Sequence, residues 1–170
     1  MKQREKGFSL LEVLIGLAIV AIIVVPITMT TTMIVRSSRQ AAAQNAVLPQ
    51  VQNAGYWISR DVQIASGIDL GDPNGNGFPL SLDIPTDDNP AHDYGIEYSF
   101  EGNKLMRRVY DSSETVTFIA DWIDIDNTVF SLVDDATPGH YRLTVRAAKG
   151  EAVVTRSYEI KQRISLSYYY

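Results

Sequence analysis

The chain of 170 residues contains no cysteine. No disulfide can staple any part of it, so a domain outside a reducing compartment must rely on its apolar core or on a bound ion. Histidine is scarce as well: His92 and His140 stand without a Gly-x-Ser-x-Gly elbow or paired metal-ligand spacing around them. The acid pairs Asp87-Asp88 and Asp134-Asp135 are adjacent residues in loops, the pattern of charged surface. Nucleophilic and metal-hydrolytic chemistry therefore lack their usual carriers, and the sequence reads as that of a non-enzyme. Positive charge is also in deficit, with a net charge of −5. Removing the +2 of residues 1–7 and the −1 of Glu12 leaves −6 on residues 13–170, so no nucleic acid is expected as a partner. The most telling absence is local. Residues 13–35 carry no charge, and at about 1.5 Å per residue they span roughly 34 Å, enough to cross a hydrocarbon core of about 30 Å. A membrane is the expected partner of this stretch.

No small-residue A-x-A cleavage site follows the apolar run, as a removable secretory signal would require. The small residue that looks like a processing point is Gly7, ahead of the run. Lys2, Arg4 and Lys6 against Glu5 keep the leader cytoplasmic under the positive-inside rule, so the expectation is a single-pass inner-membrane protein with its remainder facing outward. A cut at Gly7 would leave the helix attached. The run G-F-S-L-L-E, residues 7–12, followed by a long apolar helix, resembles the prepilin cleavage and methylation motif of type IV pilins and type II secretion pseudopilins. That resemblance implies a prepilin peptidase as partner, a cut after Gly7, methylation of the new amine at Phe8, and an assembly role for Glu12. It further implies other pilins or pseudopilins in a filament and an inner-membrane assembly platform. Many major pilins close a C-terminal loop with a disulfide, which this chain cannot do.

Glu12 also has a physical argument of its own. A carboxylate in a lipid-buried helix costs about 2.5 to 3.5 kcal/mol on insertion scales, so it calls for a compensating partner. A free N-terminal amine on a neighbouring helix, at the positive end of that helix's dipole, is one, and the pair would set subunit register. The rival reading from another class is a single-pass anchored ligand-binding module whose helix only tethers it.

Val47, Val51, Ala54, Ile58, Val62 and Ala65 recur at spacings of three and four, one apolar stripe on a helix. A single helix over about 10–65 is expected, roughly 80 Å long, with kinks or local melting near Pro26 and Pro49 and a stop near Gly67. The chain thus divides into a leader (1–7), a membrane and filament-core segment (8–35), an amphipathic continuation (36–66) and a β-rich globular domain (67–170). Within that domain residues 67–93 hold four of the seven prolines and many Gly, Asn and Asp residues, which predicts a long variable loop. In it Asp72, Asn74, Asn76, Gly77 and Asp83 fit the D-x-N-x-N-G calcium-loop spacing, with Asp where the pattern has its final Glu. Asp72, Asn74, Asn76 and Asp83 are the candidate calcium ligands, and a solvated Asn-Gly turn is the alternative.

From residue 94 the period changes to two. Tyr94, Ile96, Tyr98 and Phe100 alternate with small or polar residues, Glu101-Gly102-Asn103 supplies a turn, and 104–110 returns. Further strands are expected over 115–120, 128–133, 141–147 and 152–160, the last two joined through Lys149-Gly150. The fold expected is α+β, a long helix whose stripe packs on an antiparallel meander. Residues 98–108, YSFEGNKLMRR, with Trp122-Ile123-Asp124 as the following connection, resemble the J-class pseudopilins and W-class minor pilins. That likeness implies a minor subunit acting at the tip or in assembly initiation.

Overall fold

The computed structural model describes residues 9–72, 74–86, 93–111, 113–133 and 139–163. By their internal contacts the residues form two units, Met1–Ala41 and Ala42–Tyr170. One helix, α1 (Leu10–Ile64), contributes to both.

In the first unit the side chains of α1 are exposed, and none of its most apolar window is buried. The threonines there keep their hydroxyls within the helix: Thr28, Thr30 and Thr31 donate to the carbonyls of Val24, Pro26 and Ile27, and Thr32 to that of Met29, at 2.8–2.9 Å. Such back-bonding removes the cost of taking a hydroxyl into hydrocarbon. Local melting at the prolines does not occur, since α1 is helical without a break through Pro26 and Pro49. Each proline deletes one backbone bond, and at Pro49 the flanking Val47 and Val51 are fully buried, so packing holds the turn.

The second unit is built on the stripe. Val47, Val51, Ala54, Ile58, Val62 and Ala65 are all completely buried, the face that the sequence spacing marks. The helix ends at Ile64, with the Ala65 N–H on the Asp61 carbonyl at 3.0 Å. Gly67 is no helix stop; it opens a strand. Residues 67–93, expected as one long loop, hold two strands, β1 (Gly67–Leu70) and β2 (Leu80–Ile84), paired antiparallel. The alternation of Leu80, Leu82 and Ile84 with Ser81 and Asp83 was visible, but the surrounding Pro, Gly and Asn outweighed five residues of period two.

The strands from residue 94 fall close to their expected places: β3 (Tyr94–Glu101), β4 (Lys104–Tyr110), β5 (Glu114–Ala120), β6 (Val129–Leu132), β7 (His140–Lys149) and β8 (Ala152–Lys161). Gly102 and Gly150, at φ +60° and +61°, each take the first of two loop positions in a hairpin, where a II′ turn needs positive φ. The single expected meander is two antiparallel sheets, ordered β1-β2-β3-β4-β5 and β6-β7-β8. The change of sheet happens at Trp122-Ile123-Asp124. The Ile123 N–H bonds to the Asn103 carbonyl of the β3–β4 turn, while Asp124 N–H and Trp122 carbonyl bond to Arg146 and Ala148 of β7, all at 2.8–2.9 Å. Trp122 sits at φ +57°, a conformation that costs a non-glycine residue about 1 to 2 kcal/mol. Its N–H donates to its neighbour's carboxylate, Asp121 Oδ1, at 2.7 Å, and Lys149 Nζ lies 3.8 Å from its ring centre. Inward residues of both sheets, among them Leu82, Ile96, Tyr98, Leu105, Leu143 and Val145, close one core with the helix stripe.

Candidate functional site

The first turn of α1 is built by Ser9 and Glu12. Ser9 stands at the helix N-cap and Glu12 three residues on, the S-x-x-E capping-box spacing. The Glu12 N–H lies 3.0 Å from the Ser9 carbonyl and 3.4 Å from its Oγ, and the Val13 N–H 3.3 Å from the same carbonyl. Sequence reading passed over Ser9, although that spacing was its signal. Glu12 itself is exposed in the first turn, where the helix dipole favours a carboxylate. Among the described residues no cation lies within ion-pair distance of it. The apolar side chains around it, Leu10, Leu11, Val13 and Leu14, are more than half exposed. A helix presenting a bare apolar surface with one carboxylate at its start is suited to lipid and to other helices that bring a cation. Gly7 and Phe8 lie outside the described residues.

Of the candidate calcium ligands, Asp72 and Asn76 shape one turn and Asp83 belongs to a strand. Asp72 closes a tight turn, its carbonyl accepting the N–H of Gly75 at 3.2 Å and of Gly77 at 2.9 Å. Asn76 turns its Oδ1 onto the Phe78 N–H at 3.0 Å, and its carbonyl accepts the Phe130 N–H of β6 at 2.8 Å. Asp83, the intended final ligand, lies inside β2 opposite Gly67, three residues beyond the Leu70–Leu80 pair that borders the turn. At about 3.4 Å per residue that is roughly 10 Å along the strand. No cluster of three or more acidic, histidine or cysteine side chains placed to hold a metal occurs among the described residues. The turn instead ties the β1–β2 hairpin to β6. Full-length protein is therefore expected to melt at the same temperature in calcium and in chelator, and a calcium-dependent rise removed by Asp72→Ala would restore the metal reading. Of the two histidines, His92 lies outside the described residues, and His140 opens β7 with its Nε2 3.9 Å from Glu159. Asp87-Asp88 and Asp134-Asp135 also lie outside.

Sequence reading also missed the buried polar centre of the globular unit. Asp61, on the sheet-facing side of α1 beside Ile58 and Val62, is buried. Tyr98 of β3 donates its hydroxyl to Asp61 Oδ2 at 2.6 Å, and Arg107 of β4 donates Nε to the same oxygen at 2.7 Å. Tyr98 and Arg107 are direct cross-strand partners, so one carboxylate reads the register of the β3–β4 hairpin against the helix. The Arg107 guanidinium also lies 5.3 Å from the Trp57 ring centre. Burial, then the Asp61 charge and hydrogen bond, push the Tyr98 phenol far above the usual tyrosine range. Burial opposes charge on Arg107, but the Asp61 hydrogen bond and charge outweigh it and raise its pKa. The folded state thus keeps the Tyr98 proton where the unfolded chain loses it. The Tyr98 proton leaves stability unchanged below about pH 10 and lowers it as pH rises beyond that. Alkaline unfolding should show this limb. In Tyr98→Phe it should be weaker, and what remains should come from Tyr141 and Tyr158, whose phenols burial also raises.

Residues 2–28 match the prokaryotic N-terminal methylation motif family. No curated protein matches the chain. The motif, continuous with a long apolar helix whose later turns pack on antiparallel sheet, supports a type IV pilin-like protein with an N-terminal membrane-anchor helix.

Proposed function

We propose that the protein is a minor pilin or pseudopilin, a structural subunit of a type IV pilus or a type II secretion pseudopilus that acts in assembly initiation or at the tip. It waits in the inner membrane with its leader cytoplasmic, is cut after Gly7 by a prepilin peptidase and methylated at Phe8, and is drawn by the assembly platform into a helical filament. There Glu12 meets the Phe8 amine of a neighbour, and the globular units coat the outside. The observation that carries this reading is the methylation motif over residues 2–28, running straight into a helix with a bare apolar surface. The minor-subunit assignment is supported by the β3–β4 hairpin and its two-residue turn, which carry the sequence resembling the J and W classes.

The test is to produce the full chain with and without a prepilin peptidase and to determine its N-terminus by mass spectrometry. A mature chain beginning at methylated Phe8 is expected, and only with the peptidase. An intact leader, or cleavage beyond residue 35, would remove this function.

A further inference from the structure

Within the globular unit a groove of about 480 Å³ runs between α1 and β8. Gln52, Ser59, Arg60 and Gln63 line it from the helix, and Arg156 and Tyr158 from the strand. Its floor is the Tyr158 ring, which lies over Gly55 and whose hydroxyl donates to the Val51 carbonyl at 3.2 Å.

Three features mark the groove as unfinished. The first is charge: Arg107, Arg108, Arg142 and Arg146 each have a carboxylate within 4 Å, whereas Arg60, set 5.5 Å from the Trp57 ring centre, and Arg156, set beside the Tyr158 phenol, have none among the described residues. No acidic residue lines the groove, in a chain whose net charge is −5. Arg156 also breaks the pattern of its strand. Ala152, Val154, Tyr158 and Ile160 face the core, and Arg156, between them on that same side, is exposed into the groove. The second is Ser59, whose Oγ is buried without a hydrogen-bond partner, although buried polar atoms nearly always have one. The third is β8 itself, an outer strand of its sheet whose far edge is paired with no other strand among the described residues. A row of backbone donors and acceptors is open there.

We propose that this groove is the docking site for an extended, acidic segment of a neighbouring pilin-type subunit. The segment adds to the free edge of β8, and its inward carboxylates meet Arg60 and Arg156. A lipid phosphate could satisfy the two arginines but would leave the strand edge unpaired, so the combination favours a peptide. So small a groove holds a ligand weakly by itself. In a filament the neighbour is held close, and the high effective concentration makes a weak contact sufficient. This inference rests on the filament-subunit reading.

Because the chain has no cysteine of its own, Gln52→Cys gives a unique attachment point for a benzophenone maleimide in full-length protein assembled in its own cells. Photolysis should join it to a segment of another subunit that bears the methylation motif and has acidic residues in alternate positions. The yield should fall at least tenfold with Arg60→Glu and Arg156→Glu together, and lysines at the mapped acids should restore it. The melting temperature of the double variant should stay close to wild type, since both side chains are exposed and lose only the stacking of Arg60 on Trp57, 5.5 Å from its ring centre, and the contact of Arg156 with Tyr158. A yield indifferent to the charge reversal, a product on lipid, or no product in assembled filaments would overturn the proposal. The N-terminus is determined in the same sample. A chain cut after Gly7 with no groove product defeats this inference alone, whereas an uncut chain defeats the filament reading and this one with it.

Discussion

Asp61→Ala is expected to destabilise the globular unit by about 3 to 5 kcal/mol, the cost of breaking a buried charge pair from one side. Typical domains have only about 5 to 15 kcal/mol of stability in total, so the variant should be close to unfolded at ordinary temperatures. In full-length protein held in detergent, the melting temperature should fall on the order of 10 °C or more. The reason is asymmetric. The Asp61 and Arg107 side chains are 3% and 15% exposed, and alanine leaves the Arg107 guanidinium and the Tyr98 hydroxyl without the oxygen they share. Replacing the three together, Asp61→Leu, Tyr98→Phe and Arg107→Met, should recover most of the loss, because no polar group is then stranded. A single-variant loss below about 1 kcal/mol would show that the carboxylate does not tie the helix to the hairpin.

Glu12→Ala is expected to leave membrane insertion intact and to abolish incorporation into filaments. Insertion should become easier, since the helix sheds a carboxylate worth about 2.5 to 3.5 kcal/mol of unfavourable transfer. Assembly loses one half of a charge pair in a low-dielectric setting. Such truncations cost about 2 to 5 kcal/mol, which at the middle of that range lowers an association constant by a factor of several hundred. Carbonate extraction reports the first quantity, and sheared filaments probed for this subunit report the second. If filament incorporation persists at near wild-type levels, the helix is only a tether and the protein is an anchored binding module.

The two variants touch residues of very different legibility. Glu12 announces itself, because one charge beside 23 uncharged residues is conspicuous. Asp61 does not. It sits in Ser-Arg-Asp-Val-Gln, where a charged residue on a helix reads as solvent-facing, and only the arrival of Tyr98 and Arg107 from strands 37 and 46 residues away makes it a buried centre. The candidate calcium loop shows the converse case. Five residues with the right spacing looked like one site, but a strand takes Asp83 away from the turn that holds Asp72 and Asn76. Spacing along a chain becomes spacing in space only when the backbone between the residues has the assumed form.

What the sequence determined by itself is everything with a local cause. Uncharged length marks the anchor, spacing by three and four marks the helix stripe, and alternation marks β3 and β7, because each is a repeat within one element that burial on one side must respect. The methylation motif belongs here too, being a contiguous run of residues. Tertiary structure decided the division into two sheets at Trp122, the pairing of β1 and β2 within an apparent loop, the Asp61 centre, and the groove between α1 and β8 with two arginines and no carboxylate. Each depends on which distant residues meet. That is set by the closing of one common core, and no single stretch of the chain contains it.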